Sequence, residues 1–260
     1  MNCVRSFSWE IGAPDDSGAL CAMLSTPERE RAARLRRNVD RDAFIAAHAG
    51  LRKLLARELG MQPAALAFSR GPDGKPQLRA DSALHFNLSY RQGWAMCAIG
   101  PVPVGVDIER CVALNEWPQL LAQVATVAER DAFEGLPESR REAAFFRLWV
   151  RKEAWLKALG IGLSGHPERL SIGCDQWSDA SWRALDPGAA APRWFGRSLP
   201  APAGYVAAIV SASAGASPPP LEHTVLPDSW LTHSTTEWLA QAVHATSRGD
   251  ADSVRQTSPR

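Results

Sequence analysis

Residues 84–109 read LHFNLSYRQGWAMCAIGPVPVGVDIE, and the fold turns on them. From Leu84 to Glu109 the pattern switches to period two, plainest in the alternation of LHFNLSY, which is the period of a strand rather than a helix. Arg91-Gln92-Gly93 joins the two runs as a hairpin turn. After Gly100-Pro101 a third strand, VPVGVDIE, ends at Glu109. Upstream, residues 26–59 read as helical: Thr26-Pro27-Glu28 is a start signal with proline at the first helical position, Gly60 is a stop, and Asn38-Val39-Asp40 divides the stretch.

Between the helix and the hairpin lies the punctuated loop Arg70-Gly71-Pro72-Asp73-Gly74-Lys75-Pro76. Downstream, helix is expected over Glu116–Phe133 and Glu138–Leu159, then short strands at RLSIG (169–173), SWRAL (181–185), RWFGRS (193–198) and GYVAAIV (204–210). GWAMCAI and GYVAAIV share a glycine, an aromatic and small apolar residues, and each closes a helix-then-strands unit. The class is therefore α+β, with two pseudo-symmetric subdomains, each an antiparallel sheet packed on helices. The expected boundaries are 1–100, 101–212 and 213–260. The last segment opens with SASAGASPPP, a linker composition, offers a capping signal at Ser234-Thr235-Thr236-Glu237, and ends in a polar, disordered tail.

Composition narrows the function classes. With 260 residues, 45% hydrophobic and 22% charged, the chain can bury one large core or two small ones. The near balance of 29 basic and 28 acidic residues disfavours a nucleic-acid surface. No apolar run approaches bilayer length, and the first residues carry no apolar signal region. The five cysteines are scattered, without a C-x-x-C pair, which argues against disulfides and structural zinc and for a cytoplasmic protein.

Two stretches carry chemistry. In GVDIE, strand alternation projects Asp107 and Glu109 to one side and Val106 and Ile108 to the other. The pair reads either as the solvated face of an edge strand or as two ligands of one cation. In Phe145–Gly160, FFRLWVRKEAWLKALG, the residues Phe146, Trp149, Glu153 and Lys157 share one helical stripe, while Phe145, Leu148, Trp155 and Leu159 can face a core. Glu153 and Lys157 are spaced for a surface ion pair, or for a joint role. Two strand carboxylates and one helix carboxylate together supply the oxygen donors that Mg²⁺ prefers, with positions left for a pyrophosphate.

GVDIE, followed by Trp149, Lys152-Glu153-Ala154, Lys157, Gly160 and Gly162-Leu163, resembles the 4′-phosphopantetheinyl transferases of the long, surfactin-synthetase-activating type. FNLS (86–89) and Gly74-Lys75-Pro76 resemble two further family motifs, and the likeness runs from about residue 20 to about 210 in order. The resemblance implies an active site in the cleft between the two subdomains. There the 4′-phosphopantetheine arm of coenzyme A would pass to a serine of an apo acyl or peptidyl carrier protein, releasing 3′,5′-ADP. It implies Asp107, Glu109 and Glu153 as Mg²⁺ ligands, with Glu153 also the base and Lys157 the group that stabilises the departing phosphate. It implies coenzyme contacts at Arg70, Gly74, Lys75, Pro76, Ser89, Tyr90 and Lys157, and at Arg29 and His48 in the helical region.

Tyr90 departs from the family, which usually carries histidine there; tyrosine donates a hydrogen bond but brings no positive charge. A relative that binds coenzyme or carrier without turnover is the competing expectation. Between Glu28 and Glu58 nine basic residues stand against five acidic ones, a local excess that could steer an acidic carrier. The expected form is a monomer that meets coenzyme A and carrier proteins, with no nucleic acid and no membrane.

Overall fold

A computed structural model describes residues 3–12, 17–71, 73–79, 82–173, 177, 180–185 and 192–232. The chain falls into two compact units: Met1–Ala13 with Ala67–Leu226, and Pro14–Leu66 with Pro227–Arg260. The first holds all the described strands and the helices α4 (Trp117–Val124), α5 (Val127–Glu134) and α6 (Glu138–Leu159). The second holds α1 (Ser17–Met23), α2 (Thr26–Ala33) and α3 (Asn38–Leu59).

Two four-stranded sheets organise the first unit. One has the order β10-β1-β5-β4, from β1 (Val4–Glu10), β4 (His85–Arg91), β5 (Trp94–Gly100) and β10 (Leu221–Val225); the other has the order β6-β9-β8-β7, from β6 (Val104–Arg110), β7 (Arg183–Leu185), β8 (Arg193–Leu199) and β9 (Tyr205–Ser213). A small hairpin, β2 (Phe68–Arg70) and β3 (Pro76–Leu78), precedes them. The expected class, α+β with antiparallel sheets packed on helices, is what the chain adopts. The hairpin over 85–100 is antiparallel as read, and its turn puts Gln92 and Gly93 at positive φ (35° and 102°), the backbone that a two-residue hairpin loop requires. The expected boundary at Gly100-Pro101 falls between β5 and β6, inside the first unit.

β9 shows why GYVAAIV is apolar without a break. Ala207 and Ile209 join Val4, Met96, Ala98, Val106 and Ile108 in the core between the two sheets. Ala208, Val210 and Ala212 point the other way, against Leu148, Ala154, Trp155 and Ala158 of α6 (Glu138–Leu159). A strand covered on both faces loses the alternating pattern. As expected, Phe145, Leu148 and Trp155 are buried and Leu159 packs against the same core.

Several elements depart from the reading of the sequence. Residues 221–225, expected as linker, form β10 and pair in parallel with β1, Val4 opposite Leu221. Five residues give little local signal; the pairing rests on partners far away in sequence, and Ser6 Oγ meets His223 Nδ1 at 2.8 Å. RLSIG is not a strand. Residues 167–169 form a 3-10 turn, and the Ile172 amide donates to Glu129 Oε1 at 2.9 Å instead of to a neighbouring strand. Helix over Glu116–Phe133 is interrupted: α4 (Trp117–Val124) ends before Thr126, whose side chain caps α5 (Val127–Glu134) by accepting from the Glu129 amide. The break expected at 38–40 comes earlier, at 34–37. The capping signal at Ser234–Glu237 lies outside the described residues.

In the second unit, Ser25 and Glu28 form a capping box at the start of α2. Glu28 also accepts from Arg52 Nε at 2.7 Å, and the same fully buried guanidinium donates to the Pro63 and Leu66 carbonyls at 2.7 and 3.1 Å. Lys53, equally buried, donates to the Trp230 carbonyl. Both cations belong to the basic excess noted in the sequence, yet neither is available to steer a partner.

Candidate functional site

Gly105 sets the geometry of the site. A Cβ there would lie 2.1 Å from the Ala154 carbonyl oxygen and 2.3 Å from the Ala158 nitrogen, distances that no side chain tolerates. With glycine at this position, β6 lies directly on the backbone of α6. Asp107 and Glu109 follow Gly105 on the same face of the strand, so they too face α6, where Glu153 and Lys157 emerge one helical turn apart.

The four groups come together. Lys157 Nζ is 2.5 Å from Asp107 Oδ1 and donates to Ser89 Oγ at 3.1 Å. The Ser89 hydroxyl in turn donates to Asp107 Oδ1 at 2.7 Å. Asp107 is only 2% exposed, so the reading of GVDIE as a solvated face does not describe it. Burial, reinforced by Asp107, pushes Glu109 up to about 7 against the pull of Arg91 and Lys157. Burial also raises Glu153, with Lys157 opposing it. Arg91 Nε pairs with Glu109 Oε2 at 3.1 Å.

β4 holds β6 in register by side chains rather than by a backbone ladder. Asn87 Oδ1 accepts from the Val106 amide at 2.9 Å, Ser89 Oγ from the Ile108 amide at 3.4 Å, and Arg91 reaches Glu109. This explains FNLS: Asn87 and Ser89 satisfy outward-facing groups of an edge strand. Tyr90, by strand alternation, leaves the face on which Ser89 meets Asp107.

Of the other residues singled out in the sequence, Arg70, Gly74, Lys75 and Pro76 belong to the β2–β3 turn. Arg70 is exposed and donates to the Gly74 carbonyl at 3.3 Å, within the turn that Gly74 makes at φ +83°. That turn and Pro76 border a cavity of about 330 Å³ that also takes in His85, Phe86 and Gly160. The Lys75 ammonium turns onto backbone carbonyls. Arg29 and His48 belong to the second unit. Arg29 is exposed and folds back on the Leu24 carbonyl and Thr26 Oγ1. His48 stacks on Phe44 at 3.8 Å, and its Nδ1–H donates to the Phe44 carbonyl at 2.9 Å. Burial pushes His48 down to about 4, so near neutral pH it brings no positive charge to a phosphate.

The Lys of KEA has a different task from its neighbour Glu153. Lys152 is buried, pairs with Glu129 Oε2 at 2.6 Å and donates to the Pro167 and Leu170 carbonyls at 2.8 Å each. Neither this buried pair nor the Asn87 ladder was visible in the sequence, because each depends on partners on other elements.

Among the described residues no three His, Cys, Asp or Glu side chains stand close enough to form a metal site by themselves; ammonium and guanidinium groups hold Asp107 and Glu109 instead. The donor set nevertheless fits a hard divalent cation. Asp107 Oδ2 and Glu153 Oε1 are buried without a hydrogen-bond partner, a costly state for carboxylate oxygens that a cation would relieve.

Fold and site together define an α+β protein with a buried acidic cluster where one strand is pressed onto one helix. Residues 103–210, which contain that strand and helix, match the 4′-phosphopantetheinyl transferase superfamily. The chain is 35% identical over 149 residues to the 4′-phosphopantetheinyl transferase HetI of Nostoc sp., a match covering 56% of this chain and 63% of HetI. It is 32% identical over 194 residues to a phosphopantetheinyl transferase of Thraustochytrium sp. (67% and 66% covered), and 23% identical over 158 residues to the 4′-phosphopantetheinyl transferase Sfp of Bacillus subtilis (61% and 70%). The match spans about three fifths of the length of the first curated relatives. The chain is thus similar to the 4′-phosphopantetheinyl transferase superfamily over residues 103–210.

Proposed function

We propose that the protein transfers the 4′-phosphopantetheine group of coenzyme A to a serine hydroxyl of an apo acyl or peptidyl carrier protein, releasing 3′,5′-ADP. The observation that carries this reading is the convergence of Asp107, Glu109, Glu153 and Lys157 inside the segment that matches the family. Asp107, Glu109 and Glu153 would hold Mg²⁺, which when bound offsets charge on the pyrophosphate.

The remaining steps fall to the chain. Glu153, raised by burial, takes the proton of the incoming serine. The serine oxygen forms a bond to the phosphorus next to pantetheine, and the bond from that phosphorus to the oxygen of the nucleotide 5′-phosphate breaks. Lys157 donates to the departing phosphate as charge builds there. The β2–β3 turn, with Arg70, Gly74 and Pro76, and its cavity offer the surface for the nucleotide. Ser89 and Tyr90 follow on β4, and Arg29 and His48 are proposed as coenzyme contacts from the family resemblance alone. In this reading the active site lies between sequence halves 1–100 and 101–212, and the protein works as a cytoplasmic monomer. Among the described residues no helix is long and apolar enough to cross a membrane.

The test is mass spectrometry of an apo carrier protein incubated with coenzyme A, Mg²⁺ and this protein. A gain of one phosphopantetheine is expected, and Glu153→Gln should slow it by about a hundredfold or more. Tyr90, in place of a histidine, favours the second reading, a relative that binds without turnover; coenzyme binding with no mass gain would establish that one instead.

A further inference from the structure

Lys75 sits in the β2–β3 turn, where the resemblance places a coenzyme contact, yet its ammonium is committed elsewhere. Nζ donates to the Val104 carbonyl at 2.9 Å, to the Lys157 carbonyl at 2.6 Å and to the Ala158 carbonyl at 3.4 Å. An ammonium has three donors, and all three are directed at backbone. The acceptors are those in need of a partner. The last carbonyls of a helix have none within it; the Leu156 carbonyl is taken by the Gly160 and Ile161 amides, and Lys75 serves the next two. Val104 opens β6 on the outward edge whose later amides Asn87 and Ser89 satisfy. The lysine stem passes over Gly160, where a Cβ would meet Lys75 Cδ at 3.5 Å. A cation at a helix C-terminus also complements the helix dipole.

We infer that Lys75 is a positioning residue: it ties the start of the strand carrying Asp107 and Glu109 to the end of the helix carrying Glu153 and Lys157, and so fixes the spacing of the acidic cluster. A phosphate contact would require the ammonium to give up these carbonyls. Burial lowers Lys75 to about 8, while the three carbonyls favour its charged form. The inference rests on the transferase reading for its kinetic consequences, but not for its structural ones.

The experiment compares the wild type with Lys75→Met in two ways. Steady-state transfer is measured with coenzyme A and with its 3′-dephospho form, and hydrogen–deuterium exchange is followed at the amides of residues 156–161. In Lys75→Met, kcat should fall roughly tenfold or more while KM for coenzyme A stays within about threefold. The preference for coenzyme A over the dephospho form should persist, and exchange in the last turn of α6 should quicken about tenfold. A KM that rises with kcat preserved, loss of the 3′-phosphate preference, or unchanged exchange would each overturn the inference. If the wild type transfers nothing, the functional reading fails, and the exchange measurement still decides this one. Should Lys75→Met not fold, Lys75→Gln, whose shorter side chain offers two uncharged donors, should show the same fall in kcat and faster exchange to a smaller extent, again with KM and the 3′-phosphate preference retained.

Discussion

Lys157 Nζ lies 2.5 Å from Asp107 Oδ1, while the other oxygen of that carboxylate, Oδ2, is buried with no partner. The ammonium thus stands among the carboxylates that would hold a divalent cation. Removing one member of a buried pair leaves the other uncompensated, and since Lys157 is partly exposed, Lys157→Met should cost about 3 kcal/mol, near the low end of such losses. Excess Mg²⁺ should restore part of that loss by taking over the charge on Asp107. Urea denaturation with and without Mg²⁺ measures both; an equal loss in the two conditions would argue against a shared cation position.

Gly105→Ala tests the contact that builds the site. Its Cβ would press on the Ala154 carbonyl and Ala158 nitrogen, both backbone atoms that no rotamer change can move. We expect a loss of about 3 kcal/mol, the upper end of overpacking costs, together with weaker cation binding. Full cation affinity in a folded Gly105→Ala protein would mean that β6 and α6 need not touch.

Glu109 carries a pH dependence. Its folded value, about 7, exceeds the usual carboxylate range. Between about pH 4.5 and 7 the folded protein therefore holds a proton that the unfolded chain has released. The stability gained from that proton is fully present below pH 4.5 and is lost as pH rises through about 7. The apo thermal midpoint should decline over this window, and Glu109→Gln should flatten the decline. Added Mg²⁺ competes with the proton, so it should raise the midpoint more at about pH 8 than at about pH 5. Equal increments at both would remove Glu109 from the ligand set.

Lys152→Met separates the structural lysine of the KEA motif from its neighbour Glu153. It would leave Glu129 buried without its cation, at about 3–5 kcal/mol. The double variant with Glu129→Gln should recover much of that, because no lone charge stays behind. Thermal denaturation of the single and double variants checks the coupling.

Much of this was legible in sequence. Strand alternation in GVDIE placed Asp107 and Glu109 together, and helical spacing put Glu153 and Lys157 on one stripe, because both periods are properties of local backbone geometry. β1 and β10 went unread for the opposite reason: Ser6 and Ser8 interrupt the apolar pattern of β1, and LEHTV is too short to declare itself without its partner. Lys75 and Lys152 looked like coenzyme-contact and motif lysines alike, since a sequence states that a cation exists but not which carbonyls surround it.

By itself, then, the sequence determined the α+β class, the helix bearing Glu153 and the face shared by Asp107 and Glu109, all consequences of repeats a few residues long. Only the tertiary structure decided that β6 rests on α6 at Gly105, that Asp107 is buried, and that Lys75 points at backbone. Those outcomes depend on excluded volume and on the pairing of groups tens of residues apart, neither of which leaves a local periodic trace.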